Sequence, residues 1–256
     1  MSHHIVAADR LSFTYPDGTR ALREVSFSIH HGEAVAVIGA NGAGKSTLLL
    51  HLNGCLAPTE GAVRVGDYPV TQGTLPEIRR TVGMIFQDPD DQLFMPTVAE
   101  DVAFGPLNLG FPPDEVAQRV DAALTAVDAL HLRGKPPYRL SGGEKRRVAI
   151  ATVMAMAPDI LVMDEPTTGL DPFARRQLIE LLARFSHTKI IATHDLELVT
   201  ALCGRVIVLH EGTIAADGPT KDVFNDDALL ERCRLEQPPS LRPCPLCGGK
   251  DNGPQG

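Results

Sequence analysis

The sequence has no apolar run long enough to cross a membrane as a helix. Its longest, residues 148–158, falls far short of the ~20 that a bilayer requires. Positive charge is also scarce. Lys and Arg number 24 against 32 Asp and Glu, for a net charge of −8. A nucleic-acid partner would normally demand a basic face, so this balance argues against one. Cysteine is sparse, with five residues at 55, 203, 233, 244 and 247, a scatter unlike a disulfide framework. The start, Met1-Ser2-His3-His4, is followed by mixed polar sequence and carries no secretory pattern. These absences point to a cytoplasmic protein with no membrane span of its own.

What is present fits a sizeable core. The 256 residues are 43% hydrophobic, enough for one large α/β domain or a domain with a subdomain. Residues 4–30 alternate apolar and polar, as at Val25, Phe27 and Ile29, which predicts half-buried antiparallel strands. Residues 34–38 form a continuous apolar run, as a strand buried on both faces does. Between 88 and 157 the alternation gives way to helical spacing, as at Val116, Val120, Ala123, Leu124 and Val127. Apolar runs return at 160–163, 190–192 and 206–209. The expectation is an α/β core from 1–87 and 158–225 with an antiparallel β subdomain, an α-helical subdomain at 88–157, and a tail at 226–256. The tail reads as loose after 236, where Pro, Gly and Cys dominate.

Three motifs carry chemistry. "GANGAGKST", residues 39–47, lies between a buried run and a helix-like segment, the setting of a phosphate-binding P-loop. Gly39, Asn41, Gly42, Gly44 and Thr47 belong to this nucleotide-binding set. The glycines let backbone N–H groups wrap phosphates at a helix start. Lys45 can reach the β- and γ-phosphates, and Ser46 can ligate Mg²⁺. "ILVMDEP", residues 160–166, delivers two carboxylates to a strand end, where ligands of open α/β sheets bind. Asp164 can hold Mg²⁺, and Glu165 can orient or deprotonate an attacking water. The bland alternative is a turn leading into Pro166. "LSGGEKRRVAIA", residues 140–151, has Ser141 and Glu144 spaced as a capping box, so a helix begins there. It is either a well-capped core helix or, with donors exposed at Ser141, Gly142 and Gly143, a second anion site.

The order of Lys-Ser-Thr, Leu-Ser-Gly-Gly-Glu and Met-Asp-Glu-Pro-Thr-Thr-Gly-Leu-Asp resembles the ATP-binding cassette of ABC transporters over about residues 4–220. The resemblance implies a P-loop NTPase core with an antiparallel β subdomain and an α-helical subdomain. It implies ATP with Mg²⁺, and ATP hydrolysis coupled to transport. It also implies a head-to-tail dimer, most simply a homodimer, in which the signature helix of one subunit closes over ATP held by the other. On the same resemblance Tyr15 stacks on adenine, His194 contacts the γ-phosphate, and Asp171 crosses the dimer interface. Gln87 falls at the family's mobile glutamine, whose amide oxygen can hold Mg²⁺ or water and release it at low cost. Tyr15 and His194 each keep a purely structural alternative.

"FQDPDDQLFMP", residues 86–96, follows directly. Leu93, Phe94 and Met95 read as a floor for a helix of a membrane subunit, or else as core anchors of the loop. Thr97 and Glu100 form a second capping box. Asp88, Asp90 and Asp91 read as a solvated acidic turn rather than a metal site. Residues 87–110 closely resemble the ATPases of energy-coupling-factor importers, and residues 229–241 are similar to the cobalt and nickel branch. The partners so implied are an integral membrane coupling subunit and a metal-binding membrane subunit, with the chain peripheral on the cytoplasmic face of the membrane. A vitamin importer is the alternative. A soluble ABC ATPase acting on nucleic acid or the ribosome fits poorly, because the P-loop-to-signature segment is short and lacks heptads, and only one cassette is present. A regulator that binds nucleotide without hydrolysis fits poorly too, given Glu165 and His194. Two terminal features stand apart. His3 and His4 are either a nickel-type pair or incidental. Cys244 and Cys247, with Cys233 as a third ligand or a second copy of the knuckle across a dimer, are either half of a zinc site or idle thiols.

Overall fold

The buried strand after residue 30 organises the chain. In the computed structural model, which describes residues 4–242, the order begins with β1 (His4–Thr14), β2 (Arg20–His30), β3 (Ala34–Ile38) and α1 (Lys45–Leu52). Next come β4 (Glu60–Val65), β5 (Tyr68–Pro69), α2 (Leu75–Thr81) and β6 (Val82–Ile85). Helices α3 (Val98–Asn108), α4 (Pro113–Ala126) and α5 (Gly142–Met154) follow without an intervening strand. The chain then alternates β7 (Ile160–Asp164), α6 (Pro172–Arg184), β8 (Thr188–Ala192), α7 (Leu196–Leu202) and β9 (Arg205–His210). It ends on β10 (Thr213–Pro219), α8 (Thr220–Phe224) and α9 (Asp227–Arg232).

Two sheets result. The first has the order β2-β1-β4-β5, antiparallel throughout. The second has the order β10-β9-β3-β8-β7-β6 and is parallel except for the β10 edge. Strands β7 and β8 are buried at every position, because both faces of a parallel sheet are covered. Successive residues point to opposite faces, and the core divides accordingly. Val35, Val37, Ile160, Val162, Ile190 and Ala192 face α1 and the antiparallel sheet. Ala36, Ile38, Leu161, Met163 and Ile191 face the other side, where α4, α5, α6 and α9 pack. In α4 the buried residues are Val116, Val120, Ala123 and Leu124, one stripe at helical spacing.

Two expectations change. The tail expected from residue 226, and expected to be loose after 236, packs on the core at several points through residue 242. Leu229 and Leu230 of α9, and Cys233 at its C-cap, are buried in the main core, and the Gln237 amide donates to the Phe224 carbonyl at 3.0 Å. A six-residue helix is too short for its periodicity to show in sequence. Cys233 is fully buried. His3, the His4 side chain, Cys244 and Cys247 lie outside the described residues. The second change concerns Leu93, which is 7% exposed and part of the core. It anchors its loop, whereas Phe94 beside it is 62% exposed.

Candidate active site

Parallel strands end together, and these ends gather the chemistry. The P-loop runs from β3 into α1, and two of its glycines are sterically required. A Cβ on Gly39 would stand 2.3 Å from the Leu209 carbonyl oxygen, and one on Gly44 would stand 2.6 Å from that of Ala21. Lys45 is 7% exposed, and its Nζ donates to the Gly39 carbonyl at 2.9 Å and the Ala40 carbonyl at 3.3 Å. The loop therefore holds a buried cation at the mouth of its own backbone.

Strand β7 brings Asp164 beside this loop. Burial pushes the Asp164 carboxyl above the usual carboxylate range, and a hydrogen bond with Ser46 opposes that shift. Its Oδ1 is buried with no partner. Glu165 has φ 47°, a left-handed conformation that costs a non-glycine residue of order 1–3 kcal/mol. The Glu165 N–H donates to the Ala192 carbonyl at 2.8 Å, tying the turn to β8. Its Oε2 accepts from Thr193 Oγ1 at 3.2 Å and from the His194 N–H at 3.3 Å, and lies 2.7 Å from His194 Nδ1. The two strand ends thus fix one carboxylate from three directions.

A cleft of about 510 Å³ joins Tyr15, the P-loop, Gln87 and Glu165. Tyr15 reaches it from the antiparallel sheet. Its hydroxyl is 2.9 Å from Thr47 Oγ1, and its ring meets Phe13 edge-on at 4.9 Å. Ser141, Gly142, Gly143 and Asp171 do not line this cleft. Ser141 and Glu144 form the expected capping box at the start of α5. Asp171 caps α6, accepting from the N–H groups of Phe173 and Ala174 at 2.9 Å each.

The stretch at 86–96 is bound tightly to α5. Asp88 caps a short turn by accepting from the Asp90 N–H, and Asp90 pairs with Lys145 at 2.6 Å. Among the described residues no group of three or more His, Cys, Asp or Glu is placed to hold a metal ion. Beside the turn lies a mainly apolar groove of about 530 Å³, with Met84, Phe86, Phe94, Phe104, Leu109 and Met156 in its walls. Phe94 and Phe104 meet edge-on at 5.0 Å.

Sequence reasoning misses several participants. Arg146 is 3% exposed, and Asp101 is 3% exposed with Oδ1 accepting the N–H groups of Phe94 and Met95 at 3.0 Å. Arg175 grips Asp195 with two bonds of 2.6 Å, next to His194. Each is a charged residue within a helix or at its cap, where pattern suggests a solvated face; the tertiary structure buries Arg146 and Asp101 and pairs Arg175 with Asp195.

A P-loop, a paired-carboxylate strand end and a histidine just past the end of the adjoining strand, set on a parallel sheet with a helical insert, define a P-loop nucleotide hydrolase. The chain belongs to the ABC transporter family, whose model matches residues 22–168. It is 70% identical to an ABC transporter ATP-binding protein of Geobacter sulfurreducens over 97% of this chain and 100% of that protein. It is 46% identical to the energy-coupling factor transporter ATP-binding protein EcfA of Methanocaldococcus jannaschii, over 98% of this chain and 92% of that protein. The solved structure of cbiO1 from Clostridium perfringens, part of the ABC transporter complex cbiONQ, shares 40% identity at a TM-score of 0.78, covering 90% of this chain and 94% of that one. A dimeric ATP-binding cassette in a post-hydrolysis state, bound to ADP and Pi, shares 28% identity at a TM-score of 0.77, over 84% of this chain and 98% of that one. The fold is that of an ABC ATPase. This chain is an ATP-binding subunit of an ABC transporter, and it hydrolyses ATP. No helix among the described residues is long and apolar enough to cross a membrane.

The buried carboxyl of Asp164 has a measurable consequence. A carboxyl whose folded pKa is raised costs stability as pH climbs from the unfolded value through the folded one, and the full cost persists above it. Asp164→Asn removes that cost. The nucleotide-free variant is expected to melt above the parent at neutral pH, with the gap closing as pH falls toward ~4, the ordinary range for Asp. Thermal melts across pH check this, and a variant that melts lower at neutral pH would contradict it.

Proposed function

We propose that this chain is the ATP-hydrolysing subunit of an energy-coupling-factor importer that takes up a transition-metal ion, cobalt or nickel. The observation that carries the reading is a separation. The cleft holding Tyr15, the P-loop and Glu165 is distinct from the surface bearing Ser141, Gly142 and Gly143. A second copy, placed head to tail, lets the signature helix start of one chain close over ATP in the cleft of the other. Asp171 at the start of α6 then reaches across the interface. The energy-coupling factor relatives and the similarity to cbiO1 support the importer class. The resemblance of residues 229–241 to the cobalt and nickel branch supports the substrate. The partners are an integral membrane coupling subunit and a metal-binding membrane subunit, with the chain on the cytoplasmic face of the membrane and no nucleic acid involved.

In the cleft, Tyr15 stacks on adenine. The N–H groups around Gly39, Asn41, Gly42 and Gly44 wrap the phosphates, with Lys45 and Thr47 completing the cradle. The donor set beside it suits Mg²⁺: the Ser46 hydroxyl, the Gln87 amide oxygen and the unpartnered Oδ1 of Asp164 are all hard oxygen ligands. Bound Mg²⁺ neutralises phosphate charge during transfer. Glu165 accepts the proton of the attacking water, positioned by Thr193 and His194, and the exposed ring of His194 meets the γ-phosphate. Reconstitution tests the whole reading. The chain is coexpressed with candidate membrane subunits, placed in liposomes and supplied with ATP on its own side. ATP-dependent uptake of radioactive cobalt or nickel is expected. Uptake of a vitamin but of neither metal would overturn the substrate assignment, and failure to assemble with any such subunit would overturn the importer.

A further inference from the structure

The guanidinium of Arg146 belongs to α5, yet its bonds go elsewhere. Nη1 donates to the Phe86 carbonyl at 2.8 Å, and Nη2 donates to the Gln87 carbonyl at 2.5 Å. Asp88 and Asp164 both attract its charge. Its neighbours on the helix act on the same loop. Lys145 pairs with Asp90 at 2.6 Å. The Ala149 carbonyl and Thr152 Oγ1 accept from Gln92 Nε2 at 2.7 and 2.6 Å. Gln92 then closes the loop on itself, its Oε1 accepting the Phe86 N–H at 3.3 Å. Residues 145, 146, 149 and 152 lie on adjoining positions of one helical face. The loop 86–92 is therefore fastened to the helix that begins at Ser141.

We propose that Arg146 is a positioning residue that fastens the backbone of Gln87 to α5, and so sets where the Gln87 amide stands at the magnesium side of the cleft. This rests on the reading of Gln87 given above. Arginine is suited to the task, because its planar fork holds two successive carbonyls in fixed relation. A lysine of equal charge is a point donor that cannot reproduce this geometry. The two loop carbonyls, partly buried against a guanidinium that is 3% exposed, would otherwise need other partners.

Two variants test the claim, Arg146→Lys and Arg146→Met, each first checked for folding by its melting curve. The direct readout is amide hydrogen exchange. In Arg146→Met, amides at 87–92 are expected to exchange about tenfold faster while those of α5 keep their rates, with Arg146→Lys between parent and Met. Equal exchange in parent and variants overturns the proposal. So does equally faster exchange throughout α5, which would mark a merely structural arginine. The second readout is the Mg²⁺ concentration for half-maximal hydrolysis. Arg146→Lys is expected to raise it by about tenfold, with ATP affinity in the absence of Mg²⁺ unchanged. In a Gln87→Ala background Arg146→Lys should add nothing further, since the two act as one unit. Additive effects overturn the link to Gln87. If Gln87→Ala alone leaves the Mg²⁺ dependence unmoved, the Gln87 reading falls and the magnesium part of this proposal falls with it. The exchange result still decides whether Arg146 carries the loop.

Discussion

Glu165→Gln is expected to bind ATP as the parent does and to hydrolyse it about 10²–10⁴-fold more slowly, the usual cost of losing a general base. The substitution keeps the side chain's length and its acceptor oxygen. That oxygen can still receive the Thr193 hydroxyl and the His194 N–H, which reach Glu165 Oε2 at 3.2 and 3.3 Å in the parent. What it loses is the ability to take a proton from water. The positive φ of residue 165 is unchanged in kind by the swap, so the turn after β7 should persist. Because ATP stays intact, the ATP-bound dimer is expected to live longer, which size-exclusion chromatography with ATP can read directly. Lys45→Ala gives the contrast. It removes the buried cation of the P-loop and should weaken ATP binding itself. Near-parental turnover in Glu165→Gln would show that another group takes the proton.

Much of this site is legible in the sequence because each motif is local. Residues 39–47 sit between a buried strand and a helix, and the requirement for glycine at 39 and 44 is steric. The acids at 164 and 165 follow four apolar residues that had to be a buried strand. Strand order then does what no local pattern can. It sets β3 beside β8 and β8 beside β7, which places His194 on Glu165. The helical insert is legible through α4, whose apolar stripe keeps helical spacing. The tertiary roles of charge are not legible. Arg146 stands in the run Glu-Lys-Arg-Arg, which as a pattern looks solvated, yet it is buried against loop carbonyls. Asp101 lies in the first turn of α3, where an acid needs no special reason, yet it is buried and holds two loop amides. Likewise Leu93 and Phe94 are adjacent and equally apolar. The turn capped by Asp88 and the grip of Asp101 on the Phe94 and Met95 N–H groups set the first inward and the second outward.

That divergence makes Phe94→Asp the sharpest test of docking. Phe94 is 62% exposed, and its main partner is the edge of Phe104. Losing that aromatic pair costs about 0.5–1.5 kcal/mol, which a domain of this size tolerates. The loop itself should stay in place, because Asp101 holds it through the backbone N–H groups of Phe94 and Met95. Nucleotide binding is therefore expected to survive. Association with a membrane subunit is not, since a central aromatic of an interface can carry ≥ 2 kcal/mol of the binding energy, and a carboxylate in an apolar groove adds a desolvation cost. Copurification with the membrane subunits should be lost while the melting temperature shifts by only a few degrees. Leu93→Asp is the control with the opposite signature. It places a charge in the main core, so it should cost more than about 3 kcal/mol and lower the melting temperature before any partner is added. If Phe94→Asp instead destabilises the isolated chain as Leu93→Asp does, the exposed ring is a fold anchor. If it leaves copurification intact, the partner helix sits elsewhere, and the groove walled by Phe94 and Phe104 is not its seat.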